Sequence, residues 1–382
     1  MVKISIEGYP EHIHAKEKMA DHKNSNSTKK LNISILGVGG LGSAIAHYFI
    51  VTLPNVNVHL AGREKQTESI EARVRSLIAR HGKGDITEEE EAKKRIRIYQ
   101  TTTGETTKNA KGETIEKERF LDSDFLIISA RDNSVPFSAF KSRLDEYGVN
   151  VKLIKENIGP RINGYKGIVI PATGPLELIS EELATASGIP LERIVGASYI
   201  DTIRFRKELQ REIYNVTGNH INLDKLEKAI VLGARGANMV QIYSRLKING
   251  EPFNSWSPLN KDRDGIRKRI ANALSVDPIV IQFAGSTAVN VDDPALAIYE
   301  MINCLYNDKE ITGSVHDGKC FISYPCRAKT DEKGLKVISF DKKILAPVQD
   351  IETRYLSEKE RKKVVASKEE IIELKRKIRL MY

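Results

Sequence analysis

The chain has 382 residues, enough for two domains with a substantial core. Its 40% hydrophobic and 29% charged content is that of a soluble protein, and no apolar run approaches the ~18 residues of a membrane span. The net charge of +9 comes from lysines and arginines interleaved with acids, without an aromatic–basic ladder, so it predicts attraction for small anions rather than nucleic acid.

Residues 1–30 are polar and basic, with His12, His14 and His22, and read as a loosely attached extension without the apolar core of a secretory signal. The three cysteines, Cys304, Cys320 and Cys326, form no CxxC or Cys/His pattern. This predicts a cytoplasmic, reducing setting and no metal.

Residues 31–63 organise the rest. Leu31 to Leu36 is an apolar run, followed at once by Gly37-Val38-Gly39-Gly40-Leu41-Gly42. Ser43 to Ile50 reads as a helix, and Val56 to Ala61 as a second strand ending at Gly62-Arg63. Strand, glycine turn, helix and strand make the dinucleotide-binding βαβ unit. Gly37 would allow the tight turn, Gly39 would let a pyrophosphate approach bare backbone, and Gly42 would let helix and strand pack closely. Gly40 and Leu41 start the helix whose positive end would face the phosphates. The acid that usually binds the ribose of NAD would fall near Gly62 and is absent. Arg63 follows, and an arginine there suits the extra phosphate of NADP, so NADP is favoured over NAD. The alternatives are a unit that packs but binds nothing, and an arginine that simply meets solvent.

Residues 64–82 have helical periodicity, Ile96 to Tyr99 is a strand, and 100–118 reads as an inserted hairpin or surface loop. Phe125 to Ala130 and Gly167 to Pro171 are buried strands, with Val149 to Ile158 and Leu176 to Ser187 helical. The expected fold is a Rossmann-type, doubly wound, mostly parallel sheet over 31–195. Ligands in such a sheet sit beyond the carboxyl ends of strands. Residues 37–42, 129–141 and 172–175 fall there, which adds Ala130 and Thr173 to the cofactor contacts. Helices at Thr202–Val216, Arg263–Leu274, Asp292–Tyr306 and Glu358–Arg379, with strands near 230–248 and 311–340, predict an α+β domain over 196–382.

Gly196 to Arg206, GASYIDTIRFR, resembles the substrate-domain signature of the L-lactate/malate dehydrogenases. The resemblance runs from about Lys30 to Lys377 and takes in the glycine turn, residues 171–196, 231–250 and 284–290, and the closing helix. It implies a nicotinamide-dependent oxidoreductase that interconverts small 2-hydroxy and 2-oxo acids as a homodimer or homotetramer. On it, Arg204 matches the arginine that grips the substrate carboxylate, and Asp201 the carboxylate that orients the catalytic histidine. That histidine falls at Arg235. Arginine keeps its charge near pH 7 and cannot shuttle a proton. Arg235 would polarise an oxyanion beside Asp201, or form an internal salt bridge with it.

Other positions depart as well. Ser134 and Phe140 stand where substrate-loop arginines are expected, with Arg131 and Arg143 nearby. Gly148 and Gly174 replace asparagines. Phe140, Gly285, Ser286 and Thr287 would line the pocket. Tyr199, Lys152 and Lys155 are alternative acid/bases, each needing a lowered pKa. The resulting expectation is a divergent NAD(P)-dependent oxidoreductase on a small carboxylate-bearing compound, not a standard lactate or malate dehydrogenase. The alternatives are an inactive paralogue that binds a nucleotide or metabolite and acts through partners, and a basic interaction protein that uses residues 1–30, 100–118 or the closing helix.

Overall fold

The computed structural model describes residues 30–63, 72, 76, 91, 94–101, 107–109, 114–115, 121–132, 134–135, 140, 142–236, 238–260, 262–275, 292–340 and 356–381. It opens with β1 (Leu31–Leu36), α1 (Gly40–Thr52) and β2 (Val56–Arg63). β1 and β2 run parallel, with Leu31 opposite Val56. Leu31, Ile33, Ile35 and also Ser34 are buried, because a parallel sheet of this type is covered on both faces.

β3 (Ile96–Thr101), β4 (Thr107–Asn109), β5 (Thr114–Ile115), β6 (Phe125–Ile128) and β7 (Ile168–Pro171) complete a seven-stranded sheet in the order β5-β4-β3-β2-β1-β6-β7. β3, β2, β1, β6 and β7 are parallel. β4 and β5 form an antiparallel hairpin on the edge, so the expected excursion in 100–118 extends the sheet. Strand order reverses between β1 and β6. The crevice beyond their carboxyl ends is where such sheets hold ligands.

Two helices flank β7. α2 (Arg143–Lys152) begins in a reciprocal Ser142–Asp145 cap and continues as a π-helical stretch over Leu153–Ile158. α3 (Leu176–Ser187) closes on Gly188 in the left-handed region. α4 (Tyr199–Thr217) starts three residues before the expected Thr202, which puts Asp201 in its first turn. The preceding Gly196 exchanges backbone hydrogen bonds with Ser314, at 2.7 and 3.1 Å. A Cβ at Gly196 would crowd Leu176 and Ser314.

Beyond α4 come β8 (Leu226–Glu227), β9 (Ile230–Gly233), β10 (Met239–Ile242), β11 (Lys247–Ile248), β12 (Glu251–Pro252), α5 (Arg263–Ser275) and α6 (Asp292–Tyr306). β13 (Ile311–His316), β14 (Phe321–Thr330), β15 (Lys336–Phe340) and α7 (Glu358–Met381) follow. β14 pairs antiparallel with β13, β15 and β9, and β9 with β10. One apolar core joins the two large sheets: Ile33, Ile35 and Phe49 share it with Ile203, Met301, Ile322 and Val364. α2 and α3 cover the other face of the parallel sheet through Ile154, Ile179 and Leu183.

The start of α7 is anchored by a carboxylate. Glu360 accepts from the backbone N–H groups of Tyr243 (2.7 Å), Ser244 (3.0 Å) and Ser357 (3.0 Å), and from the Ser357 hydroxyl (2.7 Å). Burial alone would raise its pKa, but the bonds from Ser244, Ser357 and Tyr243 outweigh it and hold the carboxyl below its usual 4.5. A depressed folded-state pKa stabilises the fold above pH 4.5, and that contribution is lost as pH falls through the folded value. We expect Glu360→Gln to cost about 1–3 kcal/mol in urea unfolding at pH 7. The difference should shrink steadily as the titration is repeated below pH 4.5.

Candidate functional site

The glycine turn divides its work by geometry. Gly37 has φ +99°, and a Cβ there would overlap the Ala130 backbone. A Cβ at Gly42 would overlap the Gly37 carbonyl oxygen, which also accepts from the Ser129 hydroxyl at 2.7 Å. A Cβ at Gly39 would meet nothing within 4 Å, so backbone at the start of α1 faces open space. Gly40 begins α1, and Leu41 packs against the main core. Gly62 is buried near the end of β2. The Arg63 side chain lies outside the described residues, as do Gly285, Ser286, Thr287, His12, His14, His22 and His81.

Asp201 is the electrostatic centre. Its side chain is 4% exposed. Arg235 Nε donates to Oδ2 at 3.1 Å, and Arg204 Nη1 lies 3.8 Å from Oδ1. The two guanidiniums, 29% and 19% exposed, close over one carboxylate. Arg204 is the i+3 neighbour of Asp201 on α4, while Arg235 comes from the turn after β9. Burial alone would lower the Arg235 pKa, but Asp201 and then Glu177 more than offset it, so the group is held above its ordinary value.

Spacing along the chain gives no sign of the ring around this pair. Glu177, in the first turn of α3, is 1% exposed, accepts from the Arg235 backbone N–H at 2.8 Å and pairs with Arg143. Arg143 Nη1 also donates to the Arg235 carbonyl oxygen at 3.4 Å. Arg143 therefore serves this clasp rather than the substrate loop. Its one visible signal was an acid among the buried apolar residues Leu176, Leu178 and Ile179. Asn150, two residues beyond Gly148, is also buried; its amide donates to the Gly174 carbonyl at 2.9 Å and its oxygen accepts from Asp132 N at 3.1 Å. A Cβ at Gly174, which precedes a cis Pro175, would overlap the Glu146 carboxylate.

The three alternative acid/bases have partners of their own. Lys152 is 74% exposed and 4.0 Å from Glu156, and Lys155 pairs with Glu182 at 2.9 Å. Tyr199 is buried, its hydroxyl accepts from Arg206 at 2.9 Å, and burial raises its pKa. None is aimed at Asp201. Thr173 is buried and spends its hydroxyl on the Ala130 carbonyl at 2.6 Å, so it ties the ends of β6 and β7 together. Phe140 is buried under Arg131, and Ser134 N donates to Asp132.

The described histidines are also engaged elsewhere. His47 lies in α1 beside Tyr48, His59 is buried in β2, His220 stacks on Tyr214, and His316 packs against Phe321. A cavity of about 240 Å³ lined by Leu191, Val315, His316 and Ile338 contains none of the residues around Asp201. Among the described residues, no group of three or more His, Cys, Asp or Glu could hold a metal ion, and no helix is long and apolar enough to cross a membrane.

The parallel sheet with its glycine turn, joined to an antiparallel sheet, defines a Rossmann-type α/β fold, with the buried Asp201–Arg235 pair set between α4 and the turn after β9. No protein-family model matches the chain. It is 24% identical to the L-lactate dehydrogenase of Lacticaseibacillus casei, over 49% of this chain and 55% of that protein. It is 30% identical to the malate dehydrogenase of Pelagibacter ubique, over 58% of this chain and 59% of that protein. The chain thus spans little more than half the length of these curated relatives.

Among solved structures, the lactate dehydrogenase of Eimeria maxima with NADH and oxamate superposes with a TM-score of 0.67 at 19% identity, covering 93% of this chain and 96% of that one. The malate dehydrogenase of Cryptosporidium parvum gives 0.64 at 19% identity, covering 92% and 99%. The chain is thus similar in sequence over part of its length, and in fold over nearly all of it, to L-lactate and malate dehydrogenases.

The geometry separates folding roles within the site. Gly37→Ala, forced into positive φ against Ala130, should cost about 2 kcal/mol or more, whereas Gly39→Ala should cost under about 1 kcal/mol. Glu177→Ala should cost about 3 kcal/mol by leaving Arg143 and the Arg235 N–H without their acceptor. Chemical denaturation of the three variants checks the order.

Proposed function

We propose that the chain binds a nicotinamide dinucleotide over its first glycine turn and a small carboxylate-bearing hydroxy or oxo compound at Arg204. It acts as an oxidoreductase in which a fixed ion pair replaces the family's proton relay. The observation that carries this reading is the 3.1 Å bond from Arg235 Nε to Asp201, at the position where the family resemblance places the catalytic histidine.

The turn fits a dinucleotide. Gly39 leaves room for a phosphate against bare backbone, and the positive end of α1 favours its charge. When bound, the nicotinamide would supply or accept hydride. Relatives such as the Eimeria maxima enzyme with NADH support NAD. Arg63, in place of a ribose-binding acid, suits the additional phosphate of NADP. Arg204 would grip the substrate carboxylate, since a planar guanidinium binds a carboxylate by parallel hydrogen bonds. Arg235 would polarise the neighbouring oxygen. Held charged by Asp201, it would not deliver a proton near neutrality, so the proton that accompanies hydride would come from, or return to, solvent, and ordinary lactate or malate turnover is not expected. A second reading, saturable ligand binding without turnover by a paralogue that acts through partners, draws on the same fixed charge. Assembly as a homodimer or homotetramer and a cytoplasmic setting complete the proposal.

The two readings separate on one purified sample. Titration with NADH and NADPH, followed by a screen of 2-oxo acids for cofactor oxidation, should show binding with either cofactor. Substrate-dependent oxidation favours the first reading; binding without oxidation favours the second. Arg204→Ala should weaken oxamate at least about tenfold, the loss of one charge-assisted contact. Arg63→Ala should weaken NADPH far more than NADH, and an equal loss would remove Arg63 from the phosphate site. Arg235→His alone should not restore lactate or malate turnover, because Gly174 and Ser134 also depart from the family pattern.

A further inference from the structure

We infer that Glu146 is a specificity-determining residue that limits the site to ligands with a single carboxylate and turns away a second anionic group. The inference rests on the carboxylate-binding reading above. Its first support is a matched pair of residues. Gly174 stands at the carboxyl end of β7, where any side chain would overlap Oε1, Oε2 and Cδ of Glu146. The absence of a Cβ at 174 gives the Glu146 carboxylate its place.

That place is held from several sides. Glu146 lies in the first turn of α2, whose start is fixed by the Ser142–Asp145 cap. One turn on, on the same helix face, Asn150 donates to the Gly174 carbonyl at 2.9 Å. One turn back, Arg143 is clasped to Glu177. Between them, the Tyr147 hydroxyl donates to Glu182 at 2.7 Å. Helix and loop are thus tied at the spot where the carboxylate sits.

The second support is the pattern of charge. Glu146 acts electrostatically on both Arg131 and Arg235. Arg131 also feels Asp132 and donates to the Val135 carbonyl at 3.2 Å. Arg235 is matched by Asp201, and Arg143 by Glu177. Arg204, 3.8 Å from Asp201 Oδ1 while Arg235 holds Oδ2 of the same carboxylate, makes the loosest of these pairings. One ligand carboxylate can therefore be received at Arg204. A second would arrive beside Glu146, where like charges repel. A neutral tail, or one that donates hydrogen bonds as an amide or hydroxyl does, suits a carboxylate neighbour.

Oxamate and oxalate test this as near-isosteres that differ by an amide against a second carboxylate. Calorimetric titration of each, with reduced dinucleotide present and ionic strength fixed, should show wild type preferring oxamate. E146Q should shift the ratio of dissociation constants toward oxalate by about tenfold, the effect of one removed like charge. Gly174→Ala, which displaces the carboxylate, should shift it the same way, with circular dichroism establishing that both variants are folded. If oxamate binds and the ratio stays within twofold in both variants, the role of Glu146 is overturned. If neither anion binds wild type and Arg204→Ala changes nothing, the carboxylate reading fails and this inference falls with it.

Discussion

A buried carboxylate shapes this molecule. Asp201 is almost wholly removed from water, and a charge in that position must be compensated or it destabilises the fold by several kcal/mol. The compensation comes from the next turn of its own helix, through Arg204, and from the turn after β9, through Arg235. Arg235 is then fixed at its backbone by Glu177, and Glu177 by Arg143. Charges alternate along this chain of contacts, which ties together α2, α3, α4 and the end of β9.

An arginine beside a buried aspartate has a different chemistry from a histidine in the same setting. A histidine beside an aspartate can gain and lose a proton near neutrality, because its ordinary pKa lies there. A guanidinium beside the same aspartate is stabilised in its charged form and becomes a fixed dipole partner. The βαβ unit, the antiparallel sheet and the shared core persist because they rest on apolar burial and backbone pairing.

Much of the fold was legible in the chain itself. Leu31 to Arg63 announced strand, turn, helix and strand because an apolar run, glycines and helical spacing are local signals. α3 and α6 fell within their expected limits for the same reason. The Asp201–Arg235 pairing could be inferred from the family resemblance. The roles of Glu177, Arg143, Asn150 and Glu146 could not, since each acts across elements that only the tertiary fold brings together. Lys152 and Lys155 are instead seen beside Glu156 and Glu182, contacts that follow from how α2 and its π-helical extension pack.

The most direct test of this account is a double-mutant cycle on stability with Asp201→Asn and Arg235→Gln, measured by urea unfolding at neutral pH. A fixed ion pair predicts that each single variant is strongly destabilised and that the double variant recovers part of the loss, with a coupling of about 2 kcal/mol or more. Additivity within about 0.5 kcal/mol would mean that the two side chains do not depend on each other, and the account would be wrong.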